Sequence, residues 1–234
     1  VALLTILIVS YEQVIHAYPN GGGAYVVARE NIGEKWALIA GASLLTDYIL
    51  TVSVSISSGV AQLVSAFPAL LEFRVLIAVV MVFLVLLLNL RGVRESGKII
   101  AVPSYFFIII MYVLIIGGMI RYFTGGLGVV VDPPAIELMD IAQPVTFFLL
   151  LRSFSNGTSA VTGVEAISNG ITAFKEPRSK NAGITLIWMA VILGSLLVGI
   201  TFLAFQIKAI PSETETVISQ IGRTVFETRG LLYY

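Results

Sequence analysis

The sequence predicts an all-α integral membrane protein, and three observations carry that prediction. Hydrophobic residues make up 57% of the 234 positions and charged residues only 12%, whereas soluble domains carry about 25% charge. The mean hydropathy is +0.96. The apolar residues also fall in successive runs near the roughly 17 to 25 residues that a helix needs to cross hydrocarbon.

Read in order, residues 1–15 form the tail of a span whose start is missing. That run has no basic start and no small-residue cleavage site, so it does not read as a signal segment. Residues 18–33 are a polar, glycine-rich connection with a short amphipathic helix, and 36–67 are a long span studded with Ser, Thr and Gly. A more uniformly aliphatic span covers 74–90. Residues 99–123 form the next, with Pro103 near its start, where a missing amide is tolerated. A Gly- and Pro-containing loop over 124–143 leads to an interrupted span over 144–174, and 183–205 are the last full span. Residues 208–228 are polar, but Val217, Ile218, Ile221 and Val225 recur at helical spacing, which predicts a short interfacial helix. With no soluble insertion between spans, residues 1–234 read as one transmembrane domain. The chain opens without Met and ends at Tyr234 as another apolar run starts, so it reads as a fragment of a longer protein.

Charge adds an orientation. Lys plus Arg and Asp plus Glu are both 14, which leaves no net charge to attract nucleic acid. Cysteine is absent, which excludes disulfides, thiolate catalysis and Cys-based metal sites. Arg29 and Lys35, then Arg91, Arg94 and Lys98, then Lys175, Arg178 and Lys180 occupy alternate connections. Short loops on the cytoplasmic side carry excess Lys and Arg, so these three are assigned to the cytoplasm. The span of 36–67 then runs outward and the interrupted span inward.

Glu165 is the one carboxylate in that interrupted span, within the small-residue run from Ser155 to Gly170. A charge near the bilayer centre costs about 2.5 to 3.5 kcal/mol on insertion scales, so it commonly faces a partner or a wet path for an ion or substrate. Gly157 and Gly163 in the same run permit the backbone to unwind and free carbonyls for a ligand. On the outward-running span, Asp47, Thr51 and Ser55 recur four residues apart along one helical stripe, with Tyr48 beside them. Their oxygens are hard ligands suited to an alkali cation or to a polar substrate. If Asp47 and Glu165 face one cavity, their repulsion would be relieved by a proton or by a cation competing with it. The hydroxyls alone are equally consistent with close helix packing. Gly21-Gly22-Gly23 follows no strand and precedes no Lys-Ser/Thr, so it reads as a membrane-surface turn and not a phosphate cradle. His16, the single histidine, reads as an interfacial polar residue. There is no metal-ligand spacing, nucleophile elbow or cofactor fingerprint, so an enzyme is not expected. A channel is disfavoured for want of a filter signature.

Two segments resemble a known superfamily. Tyr18-Pro19-Asn20-Gly21-Gly22-Gly23-Ala24-Tyr25 with Arg29-Glu30-Asn31-Ile32-Gly33 resembles the signature after the second span of amino acid/polyamine/organocation (APC) permeases. Thr162-Gly163-Val164-Glu165-Ala166-Ile167-Ser168-Asn169 resembles their broken sixth helix. Asp47-Tyr48-Ile49-Leu50-Thr51-Val52, Asn89-Leu90-Arg91-Gly92, Ala173-Phe174-Lys175 and Val217-Ile218-Ser219-Gln220-Ile221 are similar to the KimA-type potassium importers.

The resemblance implies a LeuT-type inverted-repeat fold, of which this chain supplies approximately the second to seventh transmembrane helices. It implies a secondary active transporter in the plasma membrane that takes up potassium with protons by alternating access. Position by position it nominates Asp47, Tyr48, Thr51 and Ser55 on the third helix and Thr162 and Glu165 on the sixth as cation ligands, with Asp47 and Glu165 coupling protons. No cofactor is implied beyond the transported potassium ion and proton. The implied partners are the lipid bilayer, a small ion or amino acid and a second copy of the chain, with no nucleic acid. An amino acid permease on the same scaffold is the alternative, since broken-helix amides can hold a substrate carboxylate. Carboxylates on two site helices lean toward a cation.

Overall fold

The computed structural model describes residues 2–90, 93–130, 133–134, 146–158, 163–212 and 214–226. Among the described residues all regular structure is helical: α1 (Ala2–Ala17), α2 (Gly23–Asn31), α3 (Glu34–Ala66), a 3-10 segment (Pro68–Phe73), α4 (Arg74–Leu90), α5 (Val93–Phe123), α6 (Phe147–Thr158), α7 (Val164–Asn169), a 3-10 turn (Ile171–Ala173), α8 (Arg178–Gln206) and α9 (Val217–Val225). Four stretches are long and apolar enough to cross a bilayer: Glu34–Ala66, Pro68–Leu90, Gly97–Phe123 and Arg178–Gln206. Their surfaces carry exposed large apolar side chains such as Val75, Leu90, Phe107 and Trp188. Such a surface requires lipid or further protein against it.

The chain divides into two compact units, Val1–Val52 with Pro144–Leu197 and Ser53–Gln143 with Val198–Tyr234. The borders fall inside α3 and α8.

In the first unit, Leu4, Ile15, Val164, Ile171, Ala182 and Leu186 are buried together, with Ile8, Tyr11, Ile167 and Phe174 packed against them. Leu4, Ile8, Tyr11 and Ile15 recur at spacings of four, three and four, so they lie on one face of α1. That face meets α7 and α8. Two glycines of α8 open room for it: a Cβ on Gly194 would lie 3.6 Å from Leu4, and one on Gly183 would lie 3.7 Å from His16. Small residues let membrane helices approach closely where lipid provides no hydrophobic drive.

In the second unit, α5 packs against α8 at similarly bare positions. A Cβ on Gly118 would stand 2.6 Å from a Leu203 methyl, and one on Gly199 would stand 2.8 Å from Ile115. Pro103 lies well inside α5, because the helix begins at Val93 and not at the first strongly apolar residue. Pro103 is near the start of the apolar span Gly97–Phe123, as expected, but the polar lead from Val93 continues the helix ahead of it, so its missing amide falls inside the helix and not in a first turn. Its missing amide leaves the Ile99 carbonyl without the usual helical donor, and one residue on, Ser104 donates to the Ile100 carbonyl at 2.8 Å.

The helix α9 forms where the periodicity predicts, and one face of it is buried against the protein. Ser219, Gln220, Ile221, Gly222 and Val225 are buried, and Val225 reaches Gly117 and Gly118 of α5. The Thr216 side chain caps the helix by accepting from the Ser219 amide at 3.2 Å. Its hydroxyl donates to Gln62 of α3 at 2.8 Å, and its amide donates to Ser65 at 2.9 Å. The buried Gln220 amide both donates to the Ile210 carbonyl and accepts from the Ile210 amide. Glu215 takes two hydrogen bonds from Arg223, at 3.2 and 3.0 Å, and one from Ser219. Polar groups that would have faced water are thus paired and turned inward.

Because the Glu215–Arg223 pair is mostly buried, with side chains 11% and 15% exposed, removing one partner leaves a buried charge uncompensated. Glu215→Gln is expected to cost roughly 3 to 5 kcal/mol, read as a lowered thermal midpoint of the full-length protein in detergent. The double variant Glu215→Leu with Arg223→Met is expected to recover most of that loss.

Candidate functional site

Three elements of the first unit bring polar side chains together: α1 supplies Tyr11, α3 supplies Asp47 and Tyr48, and α7 supplies Glu165 and Asn169. The Tyr11 phenol lies within electrostatic reach of Glu165, Tyr48 and Asp47. Its ring is packed into the α1–α7–α8 core, which fixes where the hydroxyl can be. Glu165 is half-buried, and its Oε1 is buried without a hydrogen-bond partner. Asn169, one turn further along α7, donates through Nδ2 to the Tyr48 hydroxyl. The Asn169 Oδ1 is likewise buried and unpartnered.

The backbone explains how Glu165 is placed. Gly163 has φ +94, a left-handed conformation that cannot continue a right-handed helix, so α7 starts afresh one residue later. Gly157, also expected at the break, is helical and lies one residue before the end of α6. On the other side of α7, the turn before α2 has positive φ at Gly21, Gly22 and Gly23. A Cβ on Gly21 would meet the Asn169 carbonyl at 3.2 Å, and one on Gly23 would coincide with the Asn169 side chain. The glycine run is therefore a packing surface for the end of α7.

The remaining nominated residues divide. Thr51 is half-buried one turn after Asp47 on α3. Ser55 is exposed and belongs to the second unit. Thr162 lies outside the described residues. Tyr11 and Asn169 join the cluster although the residue patterns did not single them out as ligands. The signal for Tyr11 was its place on the same stripe as Leu4, Ile8 and Ile15, which makes it a polar tip on an inward face. For Asn169 the signal was its position one turn after Glu165.

Chemically, the cluster offers two carboxylates, two phenols and an amide oxygen. These are hard donors without a thiolate or imidazole among them. Among the described residues no group of three or more His, Cys, Asp or Glu is placed to hold a metal ion. A weakly held alkali cation or a proton suits the cluster. The roomier cavity of about 450 Å³ between α3 and α4 is lined chiefly by Val60, Val64, Leu71, Val75 and Val79. That lining suits acyl chains or packed side chains and not an ion.

Spanning helices, a helix that starts at a left-handed glycine and an oxygen-rich polar cluster beside it, in which Asp47 and Tyr48 are exposed and Tyr11, Glu165 and Asn169 half-buried, define a multi-pass membrane protein with a polar cluster on its helices. The chain belongs to the amino acid permease family, whose model matches residues 1–230. It is 50% identical over 234 residues to the potassium transporter KimA of Bacillus subtilis (strain 168), covering 99% of this chain and 38% of that protein. It is 28% identical over 213 residues to the low affinity potassium transport system protein Kup of Sodalis glossinidius (strain morsitans), covering 82% of this chain and 32% of that one. The chain thus spans less than two fifths of either relative's length.

The contact between Gly23 and Asn169 yields a signed expectation. Gly23→Ala adds a Cβ at φ +44 where Asn169 already sits, and is expected to destabilise by about 1 to 2 kcal/mol. Gly59→Ala, in α3 with nothing within 4 Å, is expected to be neutral or to stabilise by up to about 1 kcal/mol. Thermal midpoints of the two variants should move in opposite directions or differ by that sum.

Proposed function

We propose that this chain belongs to a secondary active transporter that takes up potassium together with protons across the plasma membrane by alternating access. The observation that carries the reading is the cluster around Tyr11, in which Glu165 and Asp47 address one phenol and Glu165 keeps a buried oxygen without a partner. A buried acceptor of that kind is costly unless something enters to satisfy it. A proton or a dehydrated cation would do so, and exchange between them would couple their movements. Both relatives are named for potassium transport, which supports the same reading.

The proposed architecture is a LeuT-type inverted repeat in which α1 is the second transmembrane helix, α3 the third, α6 with α7 the broken sixth and α8 the seventh. The restart of α7 at Gly163 supports that assignment. Asp47, Tyr48, Thr51 and Glu165 are the proposed cation ligands from this chain, with Ser55 on α3 and Thr162, outside the described residues, as further candidates. Amino acid transport is the second reading, favoured by the description of the matching family. Two nearby carboxylates weigh against it, since they repel the substrate's own carboxylate.

Uptake of labelled potassium, against a panel of amino acids, by the full-length protein in liposomes separates the two readings. Saturable potassium uptake that responds to an imposed pH gradient is expected. Saturable amino acid uptake without potassium uptake would replace this reading with the second, and potassium uptake indifferent to pH would remove the proton coupling. Glu165→Gln is expected to lower potassium kcat/KM by roughly 10- to 100-fold, the scale of losing a charged hydrogen-bonding group, and to flatten the pH profile.

A further inference from the structure

We propose that Asn169 is a positioning residue that holds the Tyr48 hydroxyl on the Glu165 side of α7. The inference rests on the reading of Tyr48 as a cation ligand, and it adds the group that fixes that ligand's oxygen in place. Tyr48 has little of its own to fix it. It lies on α3, 36% exposed, outside the buried cluster against which the Tyr11 ring packs. A phenol free to swing is a poor ligand, because ordering it at the moment of binding costs conformational entropy. Among the described residues its hydroxyl has one hydrogen-bond partner, the Asn169 Nδ2.

Asn169 is mounted where it can serve as that hold. Its place four residues after Glu165 in α7 puts both side chains on one face of the helix. Its carbonyl lies 3.2 Å from where a Gly21 Cβ would stand, and its Oδ1 occupies the space a Gly23 Cβ would take. The turn before α2 therefore abuts one edge of the amide, while the other edge, Nδ2, reaches Tyr48. Tyr48 directly follows Asp47, so the bond ties the acid-bearing part of α3 to the acid-bearing face of α7.

Stability does not account for the arrangement. Asn31 makes the same kind of bond, to the Tyr18 hydroxyl at 2.9 Å, but its amide also donates to the Val27 carbonyl of its own helix at 2.8 Å. Among the described residues the Asn169 side chain has no second hydrogen bond, and its Oδ1 is buried without a partner. A buried acceptor left open is costly to the fold, so a leucine of the same branched shape would serve packing better. What the amide supplies and leucine lacks is a donor to Tyr48.

The test uses full-length protein in liposomes and initial rates of rubidium uptake against rubidium concentration. The set is wild type, Tyr48→Phe, Asn169→Leu, Asn169→Ala and each Asn169 variant combined with Tyr48→Phe, with thermal midpoints measured alongside. Each Asn169 variant is expected to raise the rubidium KM roughly 3- to 10-fold, the scale of one neutral hydrogen bond, with kcat held within about twofold. Asn169→Leu should do so without lowering the thermal midpoint. Tyr48→Phe should raise KM by at least as much, and adding either Asn169 change to it should alter KM by less than about twofold. An unchanged KM in a folded Asn169 variant, with KM raised in Tyr48→Phe, would overturn the role of Asn169 while sparing Tyr48 as a ligand. Full additivity of the two changes would do the same. A wild-type KM in Tyr48→Phe, or no rubidium uptake by the wild type, would overturn the underlying reading and the proposal with it. Misfolding of both Asn169 variants would show the amide to be structural and would also overturn the proposal.

Discussion

Every polar group turned inward from an apolar bundle must find a partner or admit one, because neither lipid nor aliphatic packing can compensate it. Around α9 the demand is met within the chain: Glu215 meets Arg223, Gln220 meets the Ile210 backbone, and Thr216 meets Gln62 and Ser65. Around α7 the demand is met only in part. Tyr48 receives a hydrogen bond from Asn169 and Tyr11 faces Glu165, yet one oxygen on each of Glu165 and Asn169 remains buried and unpartnered. The contrast between a closed network in one unit and an open one in the other is what separates structure from candidate function here.

Glycine sets the geometry in both units for different reasons. At Gly118 and Gly199 it is the absence of bulk that matters, since neighbouring side chains occupy the space a Cβ would take. At Gly163 it is the left-handed φ, with nothing among the described residues within 4 Å of where a Cβ would stand. Gly23 combines the two, with a positive φ and Asn169 lying over it. The end of α7 is therefore pinned by the turn before α2 while its beginning is set by Gly163. Glu165 sits between those two fixed points, near the restart.

Much of the fold was legible in the residues, because the length of an apolar run and the cost of charge in lipid are properties of the chain itself. The spans expected at 36–67, 74–90 and 183–205 correspond to α3, α4 and α8 within a few residues. What was not legible lay where polar sequence behaves in two ways. The lead into α5 is polar yet helical, which moved Pro103 into the helix interior. The polar segment over 208–228 was expected to form a helix with one apolar face, and it also pairs its polar groups within the protein, at Glu215, Ser219, Gln220 and Arg223. Of the two glycines expected at the break, Gly163 has the left-handed backbone and Gly157 does not, a distinction composition cannot make. Tyr11 escaped notice because a tyrosine on an apolar stripe reads as packing until the hydroxyl's neighbour is known.

The central claim is that Asp47 and Glu165 serve one ion in one polar space. Anomalous diffraction from the full-length protein soaked with rubidium tests it most directly. The account predicts an anomalous peak coordinated by the Glu165 and Asp47 carboxylates near the Tyr11 hydroxyl. Rubidium bound elsewhere, with the two carboxylates in separate surroundings, would contradict it.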